Sequence, residues 1–199
     1  MTREWSAAVL CGGGSRRMGT DKALVEIDGA PMLRRVAVAV RRAGAGHVAV
    51  VGSGSPDDDA RRRGALAGLD IEAVADDHPG EGPLGGLLTA LRTARHDVVL
   101  VVACDLVAPS AAALQATVAA LAHHDVAVPT GERAQWLHAA WHRRVAEPLR
   151  KQFDAGERSV GGAVEAAGLT VAWVDDLDTA ALADADTPED LPRQVPRKG

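Results

Sequence analysis

Short apolar runs alternate with amphipathic stretches through the first two thirds of the chain. Runs at 7–10, 47–51, 71–75, 98–103 and 126–129 have the length and content of strands, and the run at 98–103 is the most hydrophobic. A strand buried on both faces reads as such a continuous run. Between the runs lie stretches of helical character. Pro31 stands where a helix would start, and Met32, Leu33, Val36 and Val40 have helical spacing up to Gly44. A polar helix is expected over 57–67, one over 84–94 opened by Pro83, and one over 110–122 with Ser110 as its N-cap. The rhythm loosens after Pro129, where the pattern predicts a strand over 136–141, helices over 145–154 and 159–167, a strand over 170–174 and a closing helix over 188–191. The sum is an α/β fold: a doubly wound, mainly parallel sheet with helices on both faces and ligands at the carboxyl ends of the strands.

The chain of 199 residues suits one domain, with no linker or repeat, and carries a net charge of −5. That balance gives no broad basic surface for nucleic acid. No apolar run approaches the ~20 residues that span a bilayer, and the first four residues lead straight into a strand, so a cytoplasmic protein is expected. Positive charge is local. Arg61-Arg62-Arg63 reads as a solvated helix face, whereas Arg16, Arg17 and Lys22 follow the first strand. Cys11 and Cys104 stand at strand exits and could become neighbours in a parallel sheet; they read as reduced core residues rather than a redox lock. The 7 histidines show no ligand spacing: His123-His124 reads as a helix end, and His138 and His142 fall where a strand turns into a helix, not on one metal-binding face.

The stretch Leu10-Cys11-Gly12-Gly13-Gly14-Ser15-Arg16-Arg17-Met18-Gly19-Thr20-Asp21-Lys22 carries the chemistry. Glycines let backbone N–H groups approach phosphate oxygens, and the basic side chains add charge for an anion. It is neither Gly-x-Gly-x-x-Gly nor the P-loop, because Thr20 and Asp21 follow Gly19 and Lys22 comes two places late. A strand-end Gly-Gly, then Arg-Met-Gly, then Asp-Lys resembles the nucleotidyltransferases of Rossmann-like fold, and among them the molybdenum cofactor guanylyltransferases. The likeness continues through Gly29-Ala30-Pro31-Met32-Leu33, Gly82-Pro83-Leu84-Gly85-Gly86, Cys104-Asp105 and Asp186-Thr187-Pro188-Glu189-Asp190-Leu191. Cys11 stands where that family has Ala, and Gly14 where a basic residue is frequent.

The resemblance implies transfer of GMP from GTP to molybdopterin with magnesium, with CTP or another phosphorylated acceptor as the alternative and a non-catalytic nucleotide binder as the rival class. Other molybdenum cofactor proteins are implied as transient partners; no nucleic acid and no membrane are. An aspartate ending so apolar a strand needs a partner, and the resemblance makes Asp105 the metal ligand. It places Lys22 and Arg17 on the phosphates, although Lys22 could simply pair with Asp21. It sets the backbone of Gly12 and Gly13 against the nucleotide, where a tight turn is the plain alternative. Leu10 and Cys11, with Gly82, Pro83, Leu84 and Gly85, flank the base. Asp76 is the nucleotide-contacting aspartate of the third strand, with Asp77 open, while His78 reads as a loop residue. Gly12-Gly13 favours guanine. The nucleotide part is expected over about 1–130, the acceptor part over 131–191 and a tail over 192–199. In the acceptor part, Trp136 reads as core rather than as a pterin stack. Asp184 and Asp186 stand where the family commonly has two asparagines, and Val51 where some members have one.

Overall fold

The computed structural model describes residues 4–12, 21–131, 133–175 and 177–185. The central strands are β1 (Ser6–Leu10), β4 (His47–Val51), β5 (Glu72–Val74) and β6 (Val98–Ala103), with a small antiparallel pair, β2 (Glu26–Ile27) and β3 (Ala30–Pro31), between them in sequence. The later strands are β7 (Val126–Pro129), β8 (Ala140–His142) and β9 (Val171–Val174). One sheet runs in the order β5-β4-β1-β6-β8-β7-β9. Its first four strands are parallel; β8 lies antiparallel to β6 and β7, and β9 returns parallel to β7. The expected doubly wound, mainly parallel sheet is therefore present, in a single domain.

Alternate residues of each strand feed two cores. Ala7 and Val9 of β1, with Leu100 and Val102 of β6, share a core with α1 (Met32–Arg42), α4 (Ala111–Ala120) and Leu66, which caps the C-terminus of α2 (Pro56–Ala65). Ala8 of β1, with Val99 and Val101 of β6, meets α3 (Pro83–Thr93), α5 (Ala146–Asp154) and α6 (Val160–Ala166). The helix starts follow capping chemistry. Ser110 accepts from the backbone N–H of Ala113, as the sequence predicts. Ser55 and Asp58 form a capping box at α2, and the Ser55 hydroxyl holds the Asp58 carboxyl below its ordinary range. No helix among the described residues is long and apolar enough to cross a membrane.

One expectation needs correction. The stretch 136–141 is not a single strand: Trp136–His138 is a 3-10 turn, and β8 starts at Ala140. Leu137 adopts φ −96°, ψ 16°, and the His138 N–H donates to the Gln135 carbonyl, so the chain turns before it joins the sheet. The helix expected over 188–191 lies outside the described residues.

Gly52 sits where two strands crowd. The Cys11 N–H donates to the Val51 carbonyl at 2.7 Å, so the exits of β1 and β4 run side by side. A Cβ on Gly52 would lie 2.1 Å from the Cys11 carbonyl oxygen, whereas one on Gly64 in α2 would meet open space. Gly52→Ala is expected to lower stability by about 1–3 kcal/mol through overpacking. Gly64→Ala should raise it by roughly 0.5–1 kcal/mol. Urea unfolding midpoints of the two variants check both signs.

Candidate active site at the carboxyl ends of the central strands

The sheet registers Leu10 beside Ala103, and the Cys104 N–H donates to the Leu10 carbonyl at 3.0 Å. Cys11 and Cys104 thereby become neighbours one residue beyond the strands, and both are buried free thiols. The hydrogen bond with Cys104, aided by burial, pushes the Cys11 thiol well above its ordinary value. A thiol so held stays protonated at neutral pH, which agrees with an inert core role.

One residue further, the chain turns polar. Asp105 follows β6, and Lys22 opens the 3-10 turn Lys22–Leu24. Their side chains meet at 2.7 Å, Lys22 donating to Oδ2 of Asp105, with 15% and 20% of the side chains exposed. The pairing of Lys22 with Asp21 that the sequence left open does not form in this geometry. Asp21 instead caps the 3-10 turn through Oδ1 and takes Arg62 Nε on Oδ2 at 2.6 Å. Arg62 is therefore not part of a solvated face, as the Arg61-Arg62-Arg63 run suggested: its side chain is 12% exposed, against 62% for Arg61. Burial pulls the Arg62 guanidinium down, and the Asp21 carboxylate beside it more than offsets this, leaving it above its ordinary value.

Asp105 gathers further donors. The Ala185 N–H donates to the Asp105 carbonyl at 3.0 Å, and Asp184 bridges Leu106. These contacts bring Asp184 beside Asp105. His138 Nε2 lies 2.8 Å from Asp184 Oδ1. One ligand atom each from Asp105, His138 and Asp184 falls within 4.8 Å of the others. Oδ1 of Asp105 is buried without a hydrogen-bond partner. A carboxylate oxygen with nothing to accept from, in a nest of further donors, suits a divalent cation. Histidine spacing in the sequence gave no sign of this, because His138 reaches Asp105 through sheet pairing and not along one helix.

The remaining sequence candidates divide. Gly12 is exposed with open space where a side chain would be, and Leu10 is half-buried against α3. Gly82 takes φ +88° and packs on Arg158, whose carbonyl accepts from the Leu84 N–H at 3.3 Å. A Cβ on Gly85 would come 2.7 Å from His78 Cβ. Pro83 is exposed, but Leu84 is fully buried, so its side chain belongs to the core. Asp76 Oδ1 accepts from Thr89 Oγ1 at 2.9 Å and from the His78 N–H at 3.0 Å, while Asp77 pairs with Arg92. Val51 is buried. Trp136 packs against the second core and edge-on to Trp173, with ring centroids 5.7 Å apart. Gly13, Arg16, Arg17 and Asp186 lie outside the described residues.

The sheet order, with a cationic side chain and a carboxylate at its carboxyl edge, is that of an α/β fold whose ligands sit at the strand ends, and residues 7–169 match the family model described as the MobA-like NTP transferase domain. The chain belongs to that family and is a nucleotidyltransferase. It is 40% identical over 128 residues to the molybdenum cofactor guanylyltransferase of Xanthomonas euvesicatoria pv. vesicatoria, a match covering 64% of this chain and 60% of that one. It is 33% identical over 205 residues to the probable molybdenum cofactor guanylyltransferase of Chloroflexus aggregans, covering 94% and 91%. The crystal structure of molybdopterin-guanine dinucleotide biosynthesis protein A from Archaeoglobus fulgidus superposes with a TM-score of 0.73 at 22% identity, covering 93% and 94% of the two chains.

The Asp21–Arg62 pair is buried enough for its loss to be felt. Arg62→Met or Asp21→Asn alone is expected to cost roughly 3 kcal/mol, because each leaves a buried group unpaired. The double variant should recover much of that loss. A double-mutant cycle in chemical denaturation measures the coupling.

Proposed function

We propose that this chain transfers GMP from GTP to molybdopterin and releases pyrophosphate, with Asp105 and Lys22 as the residues on which turnover depends. The observation that carries the reading is the Lys22–Asp105 pair with its unsatisfied Oδ1, set where the glycine-rich loop and the central strand both end. The reaction needs little covalent help. A phosphate oxygen of the acceptor attacks the α-phosphorus, the bond to pyrophosphate breaks, and negative charge must be offset on the transferring and leaving oxygens. Lys22 supplies a fixed positive charge to the triphosphate. Asp105 holds magnesium, which when bound neutralises phosphate oxygens and orients them. Arg17 adds charge from the loop, and the backbone of Leu10, Cys11, Gly12 and Gly13 lies against the nucleotide. The turn at Gly82-Pro83-Leu84-Gly85 and the loop at Asp76 close the other side of the base. Leu84 and Cys11 contribute only backbone, because their side chains are buried. Residues up to about 130 form the nucleotide part, and 131–191, carrying Asp184 and Asp186, form the acceptor part. Guanine is preferred on the strength of Gly12-Gly13 and of relatives named as guanylyltransferases.

The test is pyrophosphate release from each of the four nucleoside triphosphates with magnesium and molybdopterin, with the product weighed by mass spectrometry. GTP alone should give a guanine dinucleotide. Lys22→Ala and Asp105→Asn should each lower kcat by roughly 100-fold or more in protein whose circular dichroism shows it to be folded. Turnover with CTP instead of GTP would overturn the base assignment, and a full rate in Asp105→Asn the role of that carboxylate.

A further inference from the structure

Asp76 and Asp77 follow β5 side by side, and α3 holds them differently. Both oxygens of Asp77 go to Arg92, whose Nε donates to Oδ2 at 2.6 Å and whose Nη2 donates to Oδ1 at 3.2 Å. Asp76 is held by one oxygen. Its Oδ1 accepts from the Thr89 hydroxyl at 2.9 Å and from the His78 N–H at 3.0 Å, while Oδ2 takes no hydrogen bond among the described residues. Resting on the reading above, that the loop at Asp76 flanks the base, we infer that Thr89 is a positioning residue for base recognition: it fixes the Asp76 carboxylate so that Oδ2 accepts from the ring N–H and amino group of guanine, and through that carboxylate it sets the preference for guanine.

Thr89 is fully buried, in a helix whose other buried side chains include Leu84, Leu87, Leu88 and Leu91. A hydroxyl in such a place must find partners. The ordinary solution within a helix is a bond back to the carbonyl four residues earlier, and Thr93 makes it, donating to the Thr89 carbonyl at 2.9 Å. Thr89 has the same option in the Gly85 carbonyl at 3.2 Å, but its one hydrogen has a closer and charged acceptor in Asp76. The Thr89 oxygen in turn accepts from the Asp77 N–H at 3.1 Å. One hydroxyl thus bonds a side chain and the backbone of the next residue, and Asp76 cannot rotate without breaking a bond to a buried group. Gly85 makes room for this approach, because a Cβ there would lie 2.7 Å from His78 Cβ. On the other side, the Ser53 hydroxyl accepts from the Asp76 N–H at 3.2 Å.

The chemistry of the bases does the rest. An ionised carboxylate only accepts hydrogen bonds. The pairing edge of guanine offers adjacent donors, the ring N–H and the amino group, whereas that of cytosine sets acceptors beside a single amine. A carboxylate held in place attracts the first and repels the second, so selectivity has both a favourable and an unfavourable part. Hypoxanthine keeps the ring N–H and lacks the amino group, which makes inosine triphosphate a probe of the same contact.

The experiment measures binding of GTP, inosine triphosphate and CTP to the full chain by isothermal titration calorimetry, in magnesium and without acceptor. The unaltered chain is expected to bind GTP about tenfold more tightly than inosine triphosphate, a comparison that needs no mutation and so no assumption about folding. Thr89→Val keeps the shape and removes the hydroxyl; it should weaken GTP by about tenfold and leave CTP within about twofold. Thr89→Ser should restore the preference. In an Asp76→Asn background, Thr89→Val should add little, whereas a merely structural role would weaken every nucleotide alike and add in full to the effect of Asp76→Asn. Equal affinity of the unaltered chain for GTP and inosine triphosphate, an undiminished preference in folded Thr89→Val, additive effects in the double variant, or Thr89→Ser behaving as Thr89→Val overturns the inference. GMP transfer from GTP alongside any of these would leave the proposed function standing. An unaltered chain that binds CTP as tightly as GTP overturns the base assignment of that function, and this inference with it.

Discussion

A parallel strand buried on both faces has only its ends to offer to water. β1 lies between β4 and β6 with alternate side chains in two cores, so nothing along its length before Leu10 can meet a ligand. The sheet holds its register one residue past the strands, through the Cys11 N–H on the Val51 carbonyl and the Cys104 N–H on the Leu10 carbonyl. Only then are Gly12 and Asp105 released from the ladder. This constraint fixes where charge can stand, and the polar cluster of Lys22, Asp105, His138 and Asp184 stands there.

The charges at that edge differ in what they do. Lys22–Asp105 and Asp21–Arg62 come from adjacent residues of one segment but reach opposite ways, one to β6 and the other to α2. Together they hold the end of the glycine-rich loop from two sides. Buried pairs of this kind add little net stability and specify position instead. By contrast, Arg92–Asp77 and Arg150–Glu147 are largely exposed, where screening leaves an ion pair little to contribute.

The parallel half of the fold was legible because each strand there is a continuous apolar run and each helix carries a local start signal. Ser110, Pro83 and Pro31 all stand where the sequence puts helix starts, since capping depends on neighbours a few residues away. The stretch 136–141 misled because its apolar residues serve the core from a turn as readily as from a strand. Arg62 and His138 were missed for a different reason. Arg62 is 41 residues from its partner and His138 is 46 from its own, and no local pattern encodes such a meeting. Asp105 was found only because the apolar strand before it makes a terminal carboxylate conspicuous.

Asp184 shows how the sheet brings distant carboxylates together. Asp184 Oδ1 lies 2.8 Å from Nε2 of an imidazole that is almost fully buried. The Ala185 N–H and the Leu106 bridge tie the backbones of Asp105 and Asp184 together, so the two carboxylates start from neighbouring positions. The same backbone bonds join the segment that ends at Ala185 to the exit of β6, so the later part of the chain is fastened to the parallel half of the sheet at the edge where its polar side chains gather.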